Sequence, residues 1–205
     1  MEFRTEYKDW TLIIEQIKPE ESKVFSFARD RPEIKKKFLD VMKYGGKNKV
    51  NFEKREIRII VGFDSFLLYF YMVCCHEIGH VADKLSNHRL QLQGIYGEML
   101  LPCLRGEYVA AEFGRRLFSQ LLPAYLGVYD HFSKNDFGFK FRMALGPLDR
   151  AKFDELLEYS AKSFAQLEKD FAEHTKIRLD GLKPAEYERV IDVVFGFLRQ
   201  TIDQF

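Results

Sequence analysis

The segment Ile57-Arg58-Ile59-Ile60-Val61-Gly62-Phe63-Asp64-Ser65-Phe66-Leu67-Leu68-Tyr69-Phe70-Tyr71-Met72-Val73-Cys74-Cys75-His76-Glu77-Ile78-Gly79-His80 decides the fold. Its first five residues are a β-branched run that reads as a strand, and Gly62 ends it. Asp64 or Ser65 then offers an oxygen to the free amides of a helix expected over Phe66–Leu85. That helix is apolar almost all round in its first half, so it belongs at the centre of the molecule. Upstream, Val50 and Phe52 alternate with polar residues before a polar turn at Glu53–Glu56, so this stretch and the Ile57 strand read as a hairpin or as a pair of neighbouring strands.

Residues four apart share one helix face, so His76 and His80 can offer two imidazoles to one metal ion. Glu77 is offset to the side of that pair, within reach of a water held by the ion, and suits a general base. Catalytic zinc normally takes three protein ligands. A third histidine three residues beyond a glycine is absent, because positions 83 and 86 are Asp83 and Ser86. A glutamate on a following helix, Glu107, fits better. Ala110, Ala111 and Gly114 continue its face of a helix expected over Leu104–Leu122, and their smallness, matched by Gly79, lets the two helices press together.

The rival ligands are Glu98, in a Gly-punctuated segment without a small-residue face, and Cys103, which also reads as a small buried apolar residue. Asp83, on the histidine face, is the candidate to orient a ligating imidazole by accepting its second N–H, and Glu112 is the weaker one. Candidate donors for an oxyanion are His131, Tyr129, Tyr125, Tyr96 and Arg105, among which spacing does not choose. Otherwise His88, His131 and His174 read as ordinary surface histidines, and Cys74 and Cys75 as core packing. The stretch Phe132–Phe141 reads as core or as the wall of an apolar substrate pocket.

The strand, the His76-Glu77-Ile78-Gly79-His80 helix and the later Glu107-Tyr108-Val109-Ala110-Ala111-Glu112-Phe113-Gly114 resemble the gluzincin metallopeptidases, most of all the ImmA/IrrE-like family. The likeness covers Ile57 to Pro123. It implies a minimal zincin core, a small β-sheet against an active-site helix, one catalytic Zn2+ held by His76, His80 and Glu107, and a protein or peptide substrate. The chain departs from the family in having Ala111 where Asn or Asp is usual, and in showing no helix-turn-helix segment.

At 205 residues with 46% hydrophobic content, the chain suits one compact α+β, mostly helical domain. Residues 1–130 are expected to form the peptidase core and residues 131–205 a helical C-terminal part packed on it. In that part Phe153–Phe171 and a helix opened by Pro184 have apolar faces and would fold back as a hairpin. Two further helices are expected near the N-terminus, over Pro19–Asp30 and from Pro32 to Gly45-Gly46.

Lys and Arg number 32 against 31 Asp and Glu, a balance that points to no nucleic acid and no anionic membrane. The apolar run Phe66–Cys75 is far shorter than the ~20 residues a spanning helix needs. Three cysteines, two of them adjacent, make a poor disulfide framework, and the N-terminus has no export signal, so a cytoplasmic location is expected. Two other functions fit the same residues: a catalytically silent metal-binding interaction protein on a peptidase fold, and a non-peptidase zinc amidohydrolase.

Overall fold

The computed structural model describes residues 2–17, 49–62, 65–86, 102–134, 169 and 176–205. Within them a small mixed sheet meets four helices, an α+β arrangement that is mostly helical. The strands are β1 (Glu2–Tyr7), β2 (Trp10–Ile17), β3 (Lys49–Asn51) and β4 (Glu56–Gly62), in the spatial order β1-β2-β4-β3. The helices are α1 (Leu67–Ser86), α2 (Pro102–Leu121), α3 (residues 126–134) and α4 (Pro184–Gln204).

The expected hairpin of β3 and β4 is present, with Val50 opposite Ile57. A second hairpin, β1 with β2, lies beside it and was not expected from the sequence. Its signal is weak, because β1 is apolar only at Phe3 and Tyr7, and β2 finds its other partner, β4, by a parallel pairing across a long stretch of chain. That pairing sets Leu12 beside Ile57, Ile14 beside Ile59 and Gln16 beside Val61. Alternation then turns Trp10, Leu12, Ile14, Ile57, Ile59 and Val61 to one buried face.

Helix α1 lies on that face, and every residue from Tyr71 to Gly79 is buried, as its all-round apolarity requires. Its observed limits fall one residue beyond the expected ones. Helix α4 packs against the β1 side, where Phe3 meets Tyr187 at 5.1 Å between ring centroids and Tyr7 meets Phe195 edge-on at 6.4 Å. The Tyr7 hydroxyl donates to Asp203 at 2.9 Å, and Lys8 pairs with the same carboxylate at 2.7 Å. The chain before α4 is tied to the start of α1, since the Leu67 amide donates to the Ile177 carbonyl at 3.0 Å and the Leu179 amide to that of Ser65 at 2.9 Å.

The helix opened by Pro184 is therefore present. The helices expected over Pro19–Asp30, from Pro32 to Gly46 and over Phe153–Phe171 lie outside the described residues, as does the segment carrying His88, Tyr96 and Glu98. Residues 131–134 are helical and belong to α3. No helix among the described residues is long and apolar enough to cross a membrane.

Ile59 is fully buried between sheet and α1. Ile59→Ala is expected to lower unfolding stability by about 2–5 kcal/mol, read as a shift of the urea midpoint at constant slope. Burial pushes the Tyr187 phenol from its ordinary 10.0 up to about 12, with the Gln16 side chain pulling the other way. The unfolded chain loses that proton first, so stability should be intact below about pH 10 and fall as pH rises toward 12. Tyr187→Phe should flatten that alkaline slope in unfolding curves collected across the range.

Candidate metal centre

Helices α1 and α2 run antiparallel in close contact. A side-chain carbon added at Gly79 would stand 2.9 Å from the Ala110 carbonyl carbon, and one added at Gly114 would stand 2.8 Å from the Cys75 carbonyl oxygen. Real side-chain carbons do not tolerate either distance, so only glycine permits this approach. The small-residue face expected from the sequence thus divides: Ala110 and Gly114 are buried against α1, while Ala111 stands on the flank, partly exposed.

This approach brings Glu107 to the two histidines. His76 Nε2 lies 3.1 Å from Glu107 Oε2, and His80 Nε2 lies 3.6 Å from Glu107 Oε1. The imidazoles stand 4.9 Å apart between centroids, with planes at 86°. One donor atom from each of His76, His80 and Glu107 falls within 4.8 Å of the others. Ligands around a tetrahedral ion at ~2.1 Å are separated by about 3.4 Å, so the donor set fits a divalent metal ion with little adjustment. The two imidazoles and the carboxylate are partly shielded rather than sealed, which leaves an approach for a further ligand.

Glu77 is 7% exposed, on α1 beside the histidine pair. Carboxylates are seldom buried this deeply unless something holds them. Asp83 is half-buried one turn after His80; burial pushes its carboxyl above the usual carboxylate range, while the positive charge of Arg105, then of His80, acts against that rise. The structure therefore places Asp83 within electrostatic reach of an imidazole, and it adds Arg105 as a neighbour that spacing did not single out for this purpose.

Tyr129, one of the oxyanion candidates, has a different role. It is 1% exposed, packs on Phe118 at 5.1 Å, and donates its hydroxyl to the Ala111 carbonyl at 3.1 Å. It locks α3 onto α2 over the surface that Gly114 leaves open. His131 is exposed on α3. Cys74 and Cys75 are buried and free, as expected for packing residues, and burial raises both thiols, Cys75 to about 12. The side chain of Cys103 and all of Glu98 lie outside the described residues. A cavity of about 370 Å³ opens beyond Ala111 between α2 and α3, bordered by Tyr108, Glu112 and the Arg115–Asp130 pair.

The chain matches no family model, no curated protein and no solved structure.

A methyl group at position 79 would drive α1 and α2 apart between the two histidines. Gly79→Ala is expected to cost about 1–3 kcal/mol of stability and to weaken divalent-ion affinity. Denaturant titration together with isothermal calorimetry checks both, with Gly106→Ala, at a helical position that has open space, as the control expected to raise stability by about 0.5–1 kcal/mol.

Proposed function

We propose that this protein is a zinc-dependent metallopeptidase that hydrolyses peptide bonds of a protein or peptide substrate. One observation carries the reading: the approach of α1 and α2 gathers His76, His80 and Glu107 into a three-donor cluster. Glu77, the acid of the helical His-Glu-x-x-His string, lies next to it. The likeness of these segments to the ImmA/IrrE-like gluzincins supports the same reading and would make the sheet and α1 a minimal zincin core.

The donor set, two imidazoles and one carboxylate, suits Zn2+. When bound, the ion supplies Lewis-acid chemistry, lowering the pKa of water and polarising a carbonyl. His76, buried on α1, His80, partly buried one turn on, and Glu107, brought in by the seam with α2, would hold it. Glu77 takes a proton from the attacking water as its oxygen bonds to the scissile carbonyl carbon. The same carboxyl then delivers that proton to the departing amine as the carbon–nitrogen bond breaks. Burial of Glu77 keeps bulk water away from its carboxylate.

The same donors would serve a non-peptidase zinc amidohydrolase or a silent metal-binding interaction protein. The buried acid at position 77 favours catalysis over silence, because a purely structural ion needs no general base beside it.

Glu77→Gln preserves size and leaves all three donors in place. Proteolysis of a mixed peptide library should fall by about 10²–10⁴-fold while bound zinc stays near one equivalent. Undiminished cleavage by Glu77→Gln would remove the mechanism, and a wild type that binds zinc yet cleaves nothing in the library would favour the interaction protein.

A further inference from the structure

We propose that the cavity between α2 and α3 is a specificity pocket that takes an aromatic side chain of the substrate, one or two residues from the scissile bond. This rests on His76, His80 and Glu107 forming a peptidase centre, and it names the class of residue that the centre selects.

The cavity has a volume of about 370 Å³ and is lined by residues of both helices. Packed helices leave few gaps larger than a water molecule, whereas ligand pockets begin near ~300 Å³. Two cross-links hold the walls. Arg115 grips both oxygens of Asp130, through Nε at 2.6 Å and Nη2 at 3.0 Å, and the Tyr129 hydroxyl donates to the Ala111 carbonyl at 3.1 Å. These bonds set the distance of α3 from α2, and the methyl group of Ala111 is too small to fill what lies between them.

The position of the cavity ties it to the centre. Arg115 pairs with Asp130, while Tyr108, two turns earlier on α2, shares the cavity with Lys134, one turn later on α3. The space therefore runs back along α2 to the turn that carries Glu107, where Tyr108 is the next residue and Ala111 stands one turn on. A helical turn advances about 5.4 Å and an extended peptide about 3.3 Å per residue. A side chain one or two residues from a bond held at the centre spans that interval.

The walls select the occupant. Tyr108, 38% exposed, and Tyr129, 1% exposed, supply two aromatic rings to the lining. Rings gain more from an offset or edge-on ring than from an aliphatic chain of the same area. The charges cancel, Arg115 and Lys134 standing against Glu112 and Asp130, and the Arg115–Asp130 pair is already satisfied internally. A charged side chain finds no surplus of opposite charge there to offset its desolvation, whereas a large neutral ring is favoured by burial.

The test compares an alanine-based peptide carrying one phenylalanine with its counterpart carrying alanine in that place, on the zinc-loaded full chain. Cleavage is read as kcat/KM, and binding as fluorescence anisotropy of the labelled peptides on Glu77→Gln. Both readouts should favour the phenylalanine peptide by about 10- to 100-fold. Ala111→Leu, which fills the cavity, and Tyr108→Ser, which removes a wall at an exposed position, should each lower that ratio about tenfold with zinc still near one equivalent. Glu112→Gln, which leaves positive charge in surplus, should improve the relative binding of a peptide with glutamate in that place about two- to fivefold.

Cleavage indifferent to the aromatic residue would overturn the pocket and leave the peptidase, as would a preference that survives both Ala111→Leu and Tyr108→Ser. An aromatic preference in binding that both variants abolish, with no cleavage by the wild type, would keep the pocket and remove the peptidase. Neither preference nor cleavage would remove both.

Discussion

The close approach of α1 and α2 is the constraint on which the rest depends. A glutamate side chain is short, and an ion held jointly by two helices leaves little latitude in the spacing between them. The backbones must come nearer than ordinary side chains allow, and they do so at Gly79 against Ala110 and at Gly114 against Cys75. The sheet serves that seam as a platform. Leu12, Ile14, Ile57 and Ile59 give α1 a flat apolar floor, so the helix cannot rotate and its histidines keep a fixed direction. On the far side Tyr129 presses α3 onto α2 and gives α2 a second support.

This arrangement places polar chemistry where packing alone would choose hydrocarbon. His76 and Glu77 are among the few buried polar residues of the described chain, within a helix otherwise occupied by Met72, Val73, Ile78 and Val81. Apolar side chains there would give a more stable fold, since burying imidazole and carboxylate groups costs free energy unless something compensates. A cation among His76, His80 and Glu107 would supply such compensation and would tie stability to binding, because metal held only by the folded state favours that state.

The candidate site was legible in the sequence to the extent that its geometry is local. His76 and His80 share a face through helical periodicity alone, and Glu107 could be singled out because Ala110 and Gly114 gave its helix a small-residue face. Helix limits were readable to within a residue or two for α1 and α2, where Gly62 and Pro123 punctuate the chain. What escaped was non-local. The β1–β2 hairpin precedes a parallel pairing with β4 that leaves no mark in a short window, and β1 alternates too faintly to be read alone. Tyr129 looked available for chemistry because no spacing rule shows that its hydroxyl meets the Ala111 carbonyl.

The most direct measurement is diffraction from crystals of the protein grown with Zn2+, with data collected on either side of the zinc absorption edge. The account predicts a single strong anomalous peak bounded by His76 Nε2, His80 Nε2 and a Glu107 oxygen, at about 2.0–2.2 Å from each, with Glu77 beside it but outside bonding distance. An ion held elsewhere, or a cluster that stays without one at saturating zinc while Glu107 turns to solvent, would contradict it.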